Sequence, residues 1–316
     1  MFLAEFTQYL INGLSQGAIY ALIALGYTMV YGILKMINFA HGEFYMVGAF
    51  FGYLTLSGLS IGEFHIPALP FWLAFPVTML ITGGLAMFVE RFAYRPLRGA
   101  NRIVPLITAL GVSIVLLEGT RVIASAQARP FPPSFEQGIY TFGQFLGISP
   151  EAEHPLNDII FQKTQIVILI TALVLMYSLN RIVMKTKMGR AMRALSFDFD
   201  ASQLMGVPLN RVIAFTFFLG AALAAVAGIL VGMHYNQVEP YMGQLAGVKA
   251  FSAAVLGGIG SIPGAVLGAF TLGICEALVV GYGESTYRDA IAFGILIFVL
   301  MIRPWGILGK PERVKV

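Results

Sequence analysis

The sequence has a single cysteine, four histidines and little charge, with Asp, Glu, Lys and Arg making up only 11% of its 316 residues. Each shortage removes a class of function. Cys275 alone excludes an intrachain disulfide and a cysteine metal cluster. His41, His65, His154 and His234 are scattered, with no H-E-x-x-H or other close ligand spacing, which argues against an intramembrane metalloprotease. No G-x-x-x-x-G-K-[ST] occurs, so the chain has no Walker A site of its own, and "GGIGSIPG" has the wrong spacing for G-x-G-x-x-G. Ser252 and Ser261 sit in no nucleophile elbow, and only His234 is near them in sequence, which disfavours a rhomboid-like protease.

What the chain has in excess is apolar sequence: 58% of its residues are hydrophobic and its mean hydropathy is +0.80. Runs of roughly 20 apolar residues, enough to cross a bilayer as helix, recur along nearly the whole length. Helices satisfy their own backbone in lipid, and the short alternating segments of a β-barrel are not seen. The expected fold is therefore all-α: one transmembrane domain over residues 1–316, a polytopic bundle of about eight to nine passages with one or two broken or re-entrant segments. Spans are expected at Tyr9–Leu34, Phe44–Leu59, Pro70–Val89, Ile103–Ala124, Thr164–Met184, Val212–Met233, a composite Ala250–Val280, and Ala290–Ile302. The N-terminus lacks the basic region of a signal peptide, so the first helix is expected to be retained.

The formal net charge of +4 could point to nucleic acid, but the basic residues flank apolar runs and are explained by topology. Arg91, Arg95, Arg98 and Arg102 form one cluster, Lys185, Lys187, Arg190, Arg193 and Arg211 a second, and Arg303, Lys310, Arg313 and Lys315 a third. All three are predicted to be cytoplasmic. The loop 125–163, with Glu136, Glu151, Glu153 and Asp158, then falls outside. For the tail to return inside, Ala250–Val280 must cross twice, which is short for two full helices and predicts two short passages joined near "GGIGSIPG".

Two interruptions stand out, "KMINFAHGEF" with Asn38, His41 and Glu43, and the glycine-rich block with Gly257, Gly258 and Gly260. Each is followed by Gly-Ala-Phe, and paired breaks in two halves point to a pathway between structural repeats. These six residues are the candidates for a translocation path, with close glycine packing as the alternative. Among charges within spans, Glu118 and Arg121 can pair one turn apart, and Glu90 and Arg91 are expected to snorkel at an interface. Glu43, Lys249 and Glu276 either pair across helices or line a polar path.

The segment Lys185–Arg211 is the most polar interval between two apolar spans. Ser196, Asp198 and Asp200 suit a helix N-terminus, Leu204 and Met205 follow in an amphipathic turn, and Gly206 and Pro208 stop it. A short helix lying along the cytoplasmic face with apolar knobs exposed is a docking element for a soluble partner; an ordinary inside loop is the plainer possibility.

The blocks "GAIYALIALGYTMVYGILKMINFAHGEFYMVGAF", "ERFAYRPLR", "MGRAMRA", "KAFSAAVLGGIGSIPGAVLGAF" and "GILGKPE" resemble the permease subunits of bacterial branched-chain amino acid ABC importers, and follow the first of their two permeases over almost the whole chain. The resemblance implies a cytoplasmic-membrane importer made of this permease, a second related permease, two ATP-binding subunits and an external protein that binds leucine, isoleucine or valine. The chain itself would hold no cofactor, ATP being bound by the partner subunits. In the E-A-A-x-x-x-G coupling pattern of such importers, Asp200, Ala201, Ser202 and Gly206 take the corresponding places, with Asp200 and Ser202 departing from Glu and Ala; Arg190 lies in the "MGRAMRA" block before them. Two alternatives stay open: a related permease for urea, short amides or another small solute, and a stand-alone secondary transporter in which His41, Glu43 and Glu276 handle protons or ions.

Overall fold

The computed structural model describes residues 2–61, 64–101, 103–133, 138–145, 147–148 and 157–309. Arg102, Glu136, Glu151, Glu153, His154, Lys310, Arg313 and Lys315 lie outside these residues. In order along the chain the helices are α1 (Phe2–Leu34), α2 (His41–Ser57), α3 (Phe71–Val89), α4 (Ile103–Ala124), α5 (Phe142–Phe145), α6 (Lys163–Lys185), α7 (Lys187–Phe197), α8 (Phe199–Leu204), α9 (Leu209–Tyr235), α10 (Met242–Gly257), α11 (Ile262–Tyr282) and α12 (Arg288–Ile302). Among the described residues, strand is confined to three two-stranded antiparallel ladders in the connections. Among the described residues, seven helical stretches are long and apolar enough to span a membrane: those built on α1, α3, α4, α6, α9, α11 and α12.

The two remaining apolar helices are short. α2 has 17 residues and α10 has 16, a rise of about 24–26 Å against a hydrocarbon core of about 30 Å. They cross near their first turns, where Gly42 packs directly on Gly243 and Gly247. The lead-in to α2 is largely covered, with Asn38 and Ala40 buried, as irregular backbone at membrane depth requires, whereas the lead-in to α10 exposes Gln237, Glu239 and Tyr241.

This corrects the expected layout of Ala250–Val280. The second passage, α11, is a full-length helix of 21 residues, and the short one begins at Met242, ahead of the predicted span. Gly243, Gln244, Gly247 and Lys249 dilute the hydropathy there, yet the glycines are what let α10 lie against α2. The counterpart of the break before α2 is therefore the lead-in to α10, residues 236–241. The glycine-rich block is the tight turn from α10 to α11.

α1 and α9 form the centre and run antiparallel: Gly26 meets Gly220, while Tyr235 Oη donates to Gln16 Oε1 at 3.2 Å. α2 and α3 pack on α9, and α10 and α11 pack on α1. The two Gly-Ala-Phe triplets fall on α2 and α11.

Small residues set the central contacts. On α1, Gly13 and Gly17 are spaced as GxxxG and face Gly273 of α11, where a side-chain carbon on Gly273 would come 2.6 Å from the Gly17 Cα. Gly48 of α2 lies against the Ala225 backbone of α9, and Gly228 of α9 against Ala49. α4 and α12 are peripheral and expose rows of apolar side chains, among them Ile114, Val115, Val122 and Ile123, and Ile297, Phe298 and Met301.

Side chains fix which ends share a face. Gln8 Oε1 accepts from the Ile160 amide at 2.8 Å, and the Tyr9 and Tyr282 rings meet edge to face at 5.1 Å. The start of α1 is thus on the side of the 125–163 loop and of the end of α11. At the other side, Arg98 Nη1 donates to Asn210 Oδ1 at 2.7 Å. The basic clusters make that second side cytoplasmic, so α1 starts outside.

Candidate functional site

The cytoplasmic corner after α6 is built by local hydrogen bonds. Thr186 Oγ1 accepts the Gly189 amide at 3.0 Å to cap α7, and Arg193 Nη1 donates to the Val183 and Met184 carbonyls at 3.0 and 3.1 Å. No side chain fits at Gly189, which lies against the Ile182 and Val183 carbonyls. The sequence suggested one short helix here. There are two, because Ser196 belongs to the end of α7 and Asp198 alone caps α8, accepting the Ala201 amide at 3.0 Å.

Gly206 ends α8 at φ +78°. The Gly206 amide donates to the Gln203 carbonyl at 3.0 Å and the Val207 amide to the Ser202 carbonyl at 3.1 Å, the paired bonds of a Schellman motif. Ser202 is turned inward with its hydroxyl on the Asp198 carbonyl at 2.7 Å, whereas Arg190, Asp200 and Ala201 face solvent. Phe197, Leu204 and Met205 are 89, 88 and 84% exposed, uncovered by any of the described residues. Exposed apolar knobs of this kind beside basic flanks have the character that a docking surface requires.

The break before α2 places Asn38, His41 and Glu43 together, each 2% exposed. Tyr94 Oη donates to Asn38 Oδ1 at 2.7 Å, His41 Nε2 donates to the Ile23 carbonyl at 3.1 Å, and Ser113 Oγ donates to Glu43 Oε1 at 3.1 Å. Glu43 Oε2 has no hydrogen-bond partner among the described residues. The His41 ring stands edge-on to Tyr27 at 4.7 Å and fills the notch left by Gly26 and Gly220. That notch is about 12–17 Å along α1 and α9 from their cytoplasmic ends, close to mid-membrane.

Gly257, Gly258 and Gly260 are not part of this cluster. They make the α10–α11 turn, with Gly258 and Gly260 at φ +106° and +94°, and Ser261 caps α11 through the Gly264 amide at 3.2 Å. The chain after α12 covers the turn: the Ile307 and Leu308 amides donate to the Leu256 and Gly257 carbonyls, each at 2.9 Å. The six candidates thus divide between two places, one at mid-depth and one at the cytoplasmic end.

The unpaired charges of the sequence find partners across helices. Glu276, 1% exposed, accepts from Tyr20 Oη at 2.9 Å and Arg288 Nε at 3.0 Å, and its other oxygen forms an ion pair with Lys249 Nζ at 3.0 Å, without hydrogen-bond alignment. Lys249 also reaches Asp289 at 2.5 Å. Glu118 and Arg121 pair at 2.8 Å as spacing required. Glu90 does not snorkel: it is buried and paired with Arg98. The physical cause is the π-helical turn Glu90–Tyr94 and the following 3-10 turn at Pro96, which fold the chain back so that Arg98 returns over Glu90. A cytoplasmic cavity of about 420 Å³ is lined by this pair, by Tyr94, which bonds Asn38, and by Phe199 at the start of α8.

Residues 9–300 match the family model described as branched-chain amino acid transport system, permease component. The chain belongs to this permease family. It is 44% identical to the high-affinity branched-chain amino acid transport system permease protein BraD of Pseudomonas aeruginosa, over 99% of this chain and 98% of that protein. With LivH of Escherichia coli strain K12, a permease of the same description, identity is 42% over 98% of each chain. LivM of Salmonella typhimurium, another permease protein of such a system, is 29% identical over 92% of this chain and 68% of its own length. No solved structure matches significantly. The permease is a multi-pass protein of the bacterial cytoplasmic membrane.

Sequence reasoning missed Tyr20, Tyr27, Tyr94 and Ser113, the hydroxyl-bearing partners of the buried polar groups, which carry no local signal. Arg288 did carry one: it is a basic residue in a segment that charge counting places outside.

Proposed function

We propose that this permease imports leucine, isoleucine and valine delivered by an external substrate-binding protein, forming the path with a second related permease and driven by two separate ATP-binding subunits. The observation that carries the reading is the α7–α8 surface, capped at both ends and presenting Phe197, Leu204 and Met205 with no cover among the described residues. The names of BraD and LivH support the substrate, and the relation to LivM supports a second permease. Without a Walker motif, energy enters through that surface, and ATP binding acts by favouring one conformation of the permease. The cavity between Phe199 and Tyr94, with the Tyr94–Asn38 hydrogen bond, gives the signal a route to the break before α2.

Reconstitution in proteoliposomes tests this. Leucine uptake is expected only with both permeases, ATP and the loaded binding protein. Uptake by this chain alone would instead establish a secondary carrier, and ATP-driven uptake of urea or short amides without leucine would move the substrate.

A further inference from the structure

Two cavities open side by side at the outer ends of the central helices, of about 320 and 420 Å³, and Gln16, Tyr235 and Arg288 line both. The smaller one lies over the lead-in to α10, and its floor includes Tyr45, two residues past Glu43 at the α2–α10 crossing. Arg288 binds Glu276 through Nε alone, and its two η nitrogens make no hydrogen bond among the described residues. The Glu239 carboxylate, on the same wall, makes none either. Lys249 is already matched by Glu276 and Asp289 and does not compete for an anion. The lining also brings in the apolar side chains Ile19, Val231 and Leu245 beside the polar Gln16 and Gln237.

A guanidinium fork with free ends suits a carboxylate, a free carboxylate suits an ammonium, and an apolar patch suits a branched side chain. We infer that this cavity is a receiving site for a zwitterionic apolar amino acid, with Arg288 on its carboxylate, Glu239 on its ammonium and Ile19, Val231 and Leu245 around its side chain. The inference rests on the import reading above and adds residues to it. Both charged groups touch water, which screens them and keeps the site weak, as a site that must pass its cargo onward requires.

The test is coupled transport by the complete importer in proteoliposomes with saturating leucine-loaded binding protein, comparing wild type, Glu239→Gln and Arg288→Lys. Arg288→Lys retains a cation for Glu276 but loses the fork; Glu239→Gln is exposed and keeps its shape, so it decides the matter if the lysine variant does not assemble. Each lost charged contact should lower leucine delivered per ATP hydrolysed about tenfold or more, while ATP hydrolysis stimulated by the binding protein continues. Unchanged delivery in Glu239→Gln would overturn the site, and so would a parallel fall of delivery and hydrolysis, which marks a structural role. A wild-type complex that does not carry leucine would overturn the import reading itself, whatever the variants do.

Discussion

Gly206 offers a perturbation whose size follows from backbone geometry. Its φ of +78° is in the left-handed region, and a side-chain carbon built there would meet nothing within 4 Å. Replacement by Ala therefore introduces no collision and costs only the backbone preference, about 1–2 kcal/mol. That shifts the balance between capped and uncapped ends of α8 by about 5- to 30-fold. With six residues, α8 has no second turn to absorb the loss, and Leu204 and Met205 would no longer be held on the docking surface. In the reconstituted importer, Gly206→Ala should insert normally, yet deliver less leucine per ATP hydrolysed. Gly206→Asn should be milder, because Asn tolerates the left-handed region, and Gly206→Leu should resemble Ala, because the space is open. If Asn were no better than Ala, or if Leu kept full coupled uptake, the conformational reasoning would be wrong.

Other consequences can be checked directly. Glu276→Ala removes the acceptor of Tyr20, Arg288 and Lys249 and should destabilise the permease by about 3–5 kcal/mol, with Glu276→Gln between it and wild type in a detergent melting experiment. An Ala variant as stable as wild type would show that the cluster is solvated. Gly48→Ala forces a carbon onto the Ala225 backbone and should cost about 1–3 kcal/mol, whereas Gly84→Ala, in open space on α3, should gain about 0.5–1 kcal/mol; the reverse order in thermal melts would contradict the packing. In a Cys275→Ser background, Ser285→Cys should react with a membrane-impermeant maleimide from the periplasmic side, since Ser285 follows α11 at the outer end. Labelling only after the cytoplasmic face is opened would invert the topology.

Patterns that act over one helix or one turn were legible in the sequence. Long apolar runs located α1, α3, α4, α6 and α9, because a span must satisfy its backbone within itself. Asp198, Gly206 and the exposed Leu204–Met205 pair were readable because capping is a contact between near neighbours. Clustered arginines and lysines oriented the basic loops, though they left the side of the N-terminus open until Gln8 met Ile160. Tertiary structure decided what depends on distant residues meeting. Only the approach of Gly42 to Gly243 and Gly247 shows where the second break lies, since polar residues before α10 look like any external loop. Only the return of Arg98 over Glu90, and the meeting of Tyr20, Lys249 and Arg288 on Glu276, decide which buried charges are paired. A carboxylate in an apolar helix states that it needs a partner, and the fold alone supplies that partner, because the attraction depends on a separation of a few ångströms between residues that can be hundreds of positions apart.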